Sequence, residues 1–166
     1  AAKYDETKTD ATMANGLEGY FMPHFTDGKG NLNYFEKDEN NRIVLNLSDA
    51  NPFSVTKAYN IYKGTYTRKS MPSYWGTVCV PFIIDVKSTE TNCEIYTFQK
   101  VEGENLFIEK VVDGEIAAGT PVIVKGTKDS DLKVCSPERD QTIVTEPVPG
   151  GTGTSRIEGT FEGQEL

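Results

Sequence analysis

A chain of 166 residues with a formal net charge of -8 is long enough to bury a core without disulfides or metal. An acidic surface of this kind repels phosphate backbones and anionic lipid, which argues against nucleic acid and membrane surfaces as partners. No apolar run reaches the roughly 20 residues of a membrane-spanning helix, so this chain is expected to make no membrane insertion. Eight tyrosines and eight phenylalanines together with 15 glycines and 8 prolines favour strands and turns over helices.

In chain order, residues 1–15 are polar and expected to fray. The chain opens Ala1-Ala2-Lys3 with no signal-peptide pattern, the start expected of a processed or trimmed protein. One domain is expected over 16–146, then a Gly/Thr-rich loop and terminal strand over 147–166. Ile43, Leu45 and Leu47 alternate with Arg42, Val44 and Asn46, which predicts a half-buried strand. Ala58 to Arg68 reads as one strand, with Tyr59, Ile61, Thr65 and Thr67 on one face and Tyr62 and Tyr66 on the other. Gly76 to Ile84 is a nearly continuous apolar run broken by Pro81, and it predicts a strand buried on both faces. A hairpin follows, Cys93 to Val101 and Leu106 to Val112, turning at Glu102-Gly103-Glu104-Asn105. Asp113-Gly114 and Ala118-Gly119-Thr120 are turns, Pro121 to Lys125 is a short apolar strand, and Leu132 to Cys135 and Thr142 to Thr145 are weaker ones. Short strands this close together predict an all-β fold, an antiparallel β-sandwich with jelly-roll-like or Greek-key connections. Leu17-Glu18-Gly19-Tyr20-Phe21 is echoed by Ile157-Glu158-Gly159-Thr160-Phe161, either a module repeat or shared β composition.

Tyr66-Thr67-Arg68, Trp75-Gly76-Thr77-Val78-Cys79-Val80-Pro81-Phe82 and Ala118-Gly119-Thr120-Pro121, with Leu47-Ser48-Asp49-Ala50-Asn51-Pro52-Phe53 upstream, form a recognisable set. Together they resemble an uncharacterised all-β module of exported and cell-surface proteins of Bacteroides- and Prevotella-like bacteria, sometimes found with leucine-rich repeats. The resemblance covers residues 45–125 best. It implies an extracellular or outer-membrane-surface location and supplies no catalytic residues to carry over.

The residues themselves give catalysis little footing. The one histidine, His24, lacks a Gly-x-Ser-x-Gly elbow. Its other partner would be Cys79, which sits in an apolar run where a thiol is inert. Paired carboxylates could hydrolyse glycosides, but Asp85, Glu90, Glu102, Glu104, Asp129 and Asp131 all sit in turn or surface contexts. Cys79, Cys93 and Cys135 show no metal spacing; at most one disulfide can form, Cys93–Cys135 being the better pair, and three reduced thiols is the preferred reading. Thr26 to Asn31 fails the EF-hand pattern at either register, and Asp38-Glu39-Asn40-Asn41 offers clustered oxygens without a motif. No metal or cofactor is expected.

The binding cue is aromatic. Tyr59, Tyr62, Tyr66, Tyr74 and Trp75 cluster in sequence, and exposed rings can stack on sugar faces. Tyr62, Tyr66 and Tyr74 are the candidate ligand-binding residues, against the competing use of such rings in cross-strand packing. Trp75, at the head of the most apolar run, is predicted to be a core anchor. The expected function is a non-catalytic accessory or adhesion-type module that binds a host or surface protein or a glycan. A carbohydrate-binding module is the alternative, and a glycan hydrolase with dispersed carboxylates the reading from a different class.

Overall fold

The computed structural model describes residues 33–49, 55 and 58–150. The expectations for residues 1–15, His24, the Thr26 to Asn31 loop and both echoed segments lie outside the described residues. What is described is all-β, with twelve strands and no helix: β1 (Tyr34–Lys37), β2 (Ile43–Ser48), β3 (Asn60–Ile61), β4 (Lys63–Arg68), β5 (Trp75–Val78), β6 (Ile84–Asp85), β7 (Glu94–Glu102), β8 (Asn105–Val111), β9 (Glu115–Ile116), β10 (Val122–Lys125), β11 (Leu132–Cys135) and β12 (Gln141–Thr142).

Two four-stranded sheets carry most of the structure. The first has the order β1-β2-β4-β11 and the second β5-β10-β7-β8; β12 with β3 and β6 with β9 make two-stranded ladders. The second sheet is antiparallel throughout. The first is mixed, because β2 and β4 run parallel, with Val44 opposite Lys63 and Ser48 opposite Thr67. That departs from the purely antiparallel expectation. A parallel neighbour needs a connection that returns the chain to the start of the first strand. One apolar cluster draws from both sheets: Phe35, Leu45, Leu47, Tyr66, Leu132 and Val134 from the first, and Val78, Ile95, Val122 and Val124 from the second.

Local chemistry explains the joints. The β7–β8 hairpin closes with Glu102 opposite Asn105 and Gly103 at φ 60°. A glycine first in a two-residue loop is the type II′ pattern, whose twist matches that of the flanking strands. Gly64 in β4 lies against the Phe82 ring so closely that an added methyl would collide with it.

Two expectations fail in an instructive way. The stretch from Ala58 to Arg68 is two strands in different ladders, β3 with β12 and β4 with β2 and β11. Tyr62 sits in the bend between them, its N–H donating to the Ile43 carbonyl at 2.8 Å. That single residue shifts the phase of alternation. Ile61 faces the core from β3, and so do Gly64 and Tyr66 from β4, so Tyr66 is only 4% exposed. Likewise the apolar run after Trp75 is not one strand buried on both faces. β5 ends at Val78, with Trp75 and Thr77 exposed and Val78 buried, so only its inner face is covered. Val78, Val80 and Phe82 are buried, whereas Trp75 is 46% exposed.

Candidate functional site

The outer face of the second sheet, at its β5 corner, gathers what the core excludes. Strand register sets Trp75 of β5 opposite Lys125 of β10, and Lys125 opposite Glu94 of β7. In the next row Thr77, Ile123 and Tyr96 are aligned. Side chains two residues apart share a face, so Trp75, Lys125, Glu94, Ile123 and Tyr96 all project outward, opposite Val122, Val124 and Ile95. The Trp75 and Tyr96 rings meet at a centroid distance of 5.3 Å and 52° between planes. The Lys125 ammonium lies 5.4 Å from the Trp75 ring centroid.

Electrostatics fix one half of this corner and leave the other open. Glu94 accepts a hydrogen bond from the Lys110 ammonium at 2.9 Å and another from the Tyr96 hydroxyl at 2.9 Å. These two bonds, Lys110's first, hold the Glu94 carboxyl below its ordinary range, and the same bond raises the Tyr96 phenol. Tyr96 is thus held by its hydroxyl while its ring supports Trp75. Beside the pair lies a shallow, open depression of about 350 Å³ lined by Thr91, Asn92, Cys93, Glu94, Lys125, Gly126 and Thr127. The Asn92 side chain is spent on β11, donating to the Asp131 carbonyl and accepting from the Lys133 N–H. Tyr74, 55% exposed, precedes Trp75, and its carbonyl accepts from the Gly126 N–H at 2.8 Å.

The three candidate tyrosines therefore part company. Tyr74 lies at this corner. Tyr66 is in the core, where its hydroxyl accepts from Arg68 Nη2 at 2.9 Å, so its ring offers no face to a ligand. Tyr62, on the other sheet, is half-buried with the Arg42 guanidinium 3.9 Å above its ring. Sequence reasoning missed Tyr96, Lys125 and Glu94, which meet Trp75 only through cross-strand register. The nearest signal was the polar end of the Pro121 to Lys125 strand, which marks where a buried strand emerges.

The Tyr66-Thr67-Arg68 and Trp75-Gly76-Thr77 strings do a shared job. Arg68 Nη2 also donates to the Thr77 carbonyl at 2.8 Å, and Arg68 Nε to Asp49 at 3.0 Å. One guanidinium thereby ties the first sheet to the edge strand of the second. A side chain at position 76 would press on Arg68 Nη1 and push the guanidinium aside.

The remaining candidates resolve into structure. The Asp38 carboxylate caps its own turn, accepting from the Asn40 and Arg42 N–H groups at 2.9 Å each, and its other oxygen takes Arg42 Nε at 2.8 Å. Its oxygens are engaged by protein donors. Cys79 is half-buried, donates from Sγ to the Gly119 carbonyl at 3.3 Å, and burial pushes its thiol up to about 12. All three cysteines are free thiols. A separate cleft, about 480 Å³, is lined by Lys63, Asp85, Ser88, Thr89, Glu90, Ser136 and Glu138. There Lys63 binds Glu90 and Glu138, and hydrogen bonds from Lys63 and then Lys133 lower the Glu90 carboxyl. A glycosidase acid needs a raised carboxyl. Among the described residues the carboxyl raised by burial is Asp49, which lies outside this cleft and pairs with Arg68. No helix among the described residues is long and apolar enough to cross a membrane.

No family model, curated protein or solved structure matches this chain.

Proposed function

We propose that this chain is a non-catalytic binding module of an exported bacterial surface protein, and that it captures glycan at the Trp75 corner. The observation that carries the reading is the exposure of Trp75 on an edge strand, braced by Tyr96 and flanked by Lys125. A large indole left in water forgoes the stabilisation of burial, about 1.5–3 kcal/mol for a big apolar side chain. An aromatic held rigidly beside a polar depression is what a sugar needs: a flat face for its C–H groups and donors at the rim. The resemblance to modules of exported proteins in Bacteroides- and Prevotella-like bacteria supports a place at the cell surface, where glycans are plentiful. The test is a broad glycan screen of the purified domain, followed by titration of the best ligand. Trp75→Ala is expected to lower affinity tenfold or more while the domain stays folded. An unchanged affinity in Trp75→Ala, or no glycan bound at all, rejects the reading.

Protein contact is the second reading, and the β7–β8 hairpin favours it. Only Glu94 to Tyr96 of β7 pair with β10, so the rest of the hairpin extends as a two-stranded ribbon. Val101, Leu106 and Phe107 are exposed on it. Loss of binding to a host or surface protein in Leu106→Ser, with glycan binding untouched, would support this second use.

A further inference from the structure

We propose that the glycan taken at this corner is anionic, a sugar bearing a carboxylate or sulfate group that Lys125 receives while the ring stacks on Trp75. The inference rests on the glycan reading and goes further by naming the chemical class.

Charge pairing at the corner supports it. Glu94 is the carboxylate nearest to hand by register, yet its two oxygens are taken by Lys110 and Tyr96. Lys125 makes no salt bridge among the described residues; its ammonium lies over the Trp75 ring and acts on Glu94 only through its charge. The corner therefore holds two ammonium groups against one carboxylate, on a chain whose formal net charge is -8. An ammonium has three donors and no acceptor, so Lys125 has donors to spare for a bound anion. Lys125 lies on the same sheet face as Trp75 and also lines the 350 Å³ depression. A pyranose stacked on the indole would thus present its substituents to Lys125, with the Thr127 hydroxyl on the wall of the same depression. The acidic remainder of the surface does not outweigh this. At physiological ionic strength charges more than about 8 Å away are largely screened, so the adjacent ammonium dominates.

The test uses three oligosaccharides of equal length in calorimetric titration against the intact chain: a uronic-acid oligomer, a sulfated one, and their neutral parent. The acidic ligands are expected to bind at least tenfold more tightly than the neutral one. Lys125→Met should abolish that preference, whatever it does to neutral binding, and Lys125→Arg should keep it. The uronic and sulfated arms tell which anionic group is preferred. Equal binding of acidic and neutral ligands, or an undiminished preference in Lys125→Met, overturns the proposal and leaves the glycan reading standing. Failure of all three ligands to bind, alongside an empty glycan screen, removes both.

Discussion

Two aromatic clusters in this molecule are built from neighbouring stretches of chain and end in opposite environments. Phe35, Tyr59 and Tyr66 lie in the shared core, with Phe35 and Tyr59 edge to face at 5.7 Å. Tyr74, Trp75 and Tyr96 gather on the outer face of the second sheet. Residue size does not sort them, since the largest ring, Trp75, is half-exposed and the phenol of Tyr66 is buried. The face each residue takes decides it. Tyr66 points to the inner face of the first sheet, between half-buried neighbours, and Trp75 to the outer face of the second, where Thr77 is also exposed and Val78 is buried. A sheet packed on one side leaves its other face to solvent whatever residues occupy it.

The largest effect separating the clusters should come from the inner one. Phe82, fully buried and resting on Gly64, should cost about 3–5 kcal/mol when cut to alanine. Urea denaturation measures this. A loss below about 1 kcal/mol would mean that the core does not depend on that ring and that the contrast between the clusters is false.

The contrast also marks how far the sequence could be read. The all-β class, the hairpin at Gly103 and the strands at Ile43, Val122 and Leu132 follow from period-two alternation and turn residues, which are local. The facing of Tyr66 did not, because one bend residue, Tyr62, switches the phase of alternation, and nothing in its composition announces the bend. The exposure of Trp75 did not, because which face of β5 meets the core depends on the strands it pairs and packs with, and β10 lies more than forty residues downstream. Tyr74 was legible as one of a cluster of aromatics in sequence. Tyr96 and Lys125 enter the site only across the ladder, so no contiguous motif could carry them.

Arg68 joins the two regions, and its removal should give the next largest effect. It bonds Tyr66 on the core side and the Thr77 carbonyl on the strand that bears Trp75, and it also pairs Asp49. Hydrogen bonds to a charged donor contribute roughly 1.5–3 kcal/mol each when a partner is stranded. Partial exposure of the group brings the expected cost of Arg68→Met to about 2 kcal/mol. The Trp75 emission spectrum should shift as well, since β5 loses its edge anchor. A stability loss without any change at Trp75 would show that the guanidinium holds the first sheet alone.

Trp75→Ala should cost less than a core aromatic does, about 2 kcal/mol, because the ring is only half-covered and pairs with Tyr96. A thermal melt of the variant checks it. The same truncation in a core would cost about 3–5 kcal/mol. A measured loss in that range would return Trp75 to a structural role and take away the ground on which the glycan reading stands.

The smallest effect concerns how the outer cluster is held, and acid reads it. Glu94 is kept below its ordinary range by hydrogen bonds from Lys110 and then Tyr96. A carboxyl whose folded pKa is depressed gives up its native bonds only when protonated. Its contribution is therefore intact above the unfolded value, about 4.3, and is lost as pH falls through the lower folded value. Tyr96 then loses the acceptor that fixes its hydroxyl, and the ring it sets against Trp75 is freed. The chain has a single tryptophan, so intrinsic emission reports this corner alone. Emission should stay constant from pH 8 to 5 and change with a midpoint below about 4.3, before global unfolding. In Glu94→Gln the step should vanish, because no proton is left to add. A midpoint near 6, or a step that survives in Glu94→Gln, would mean that something other than this carboxylate holds Tyr96 against Trp75.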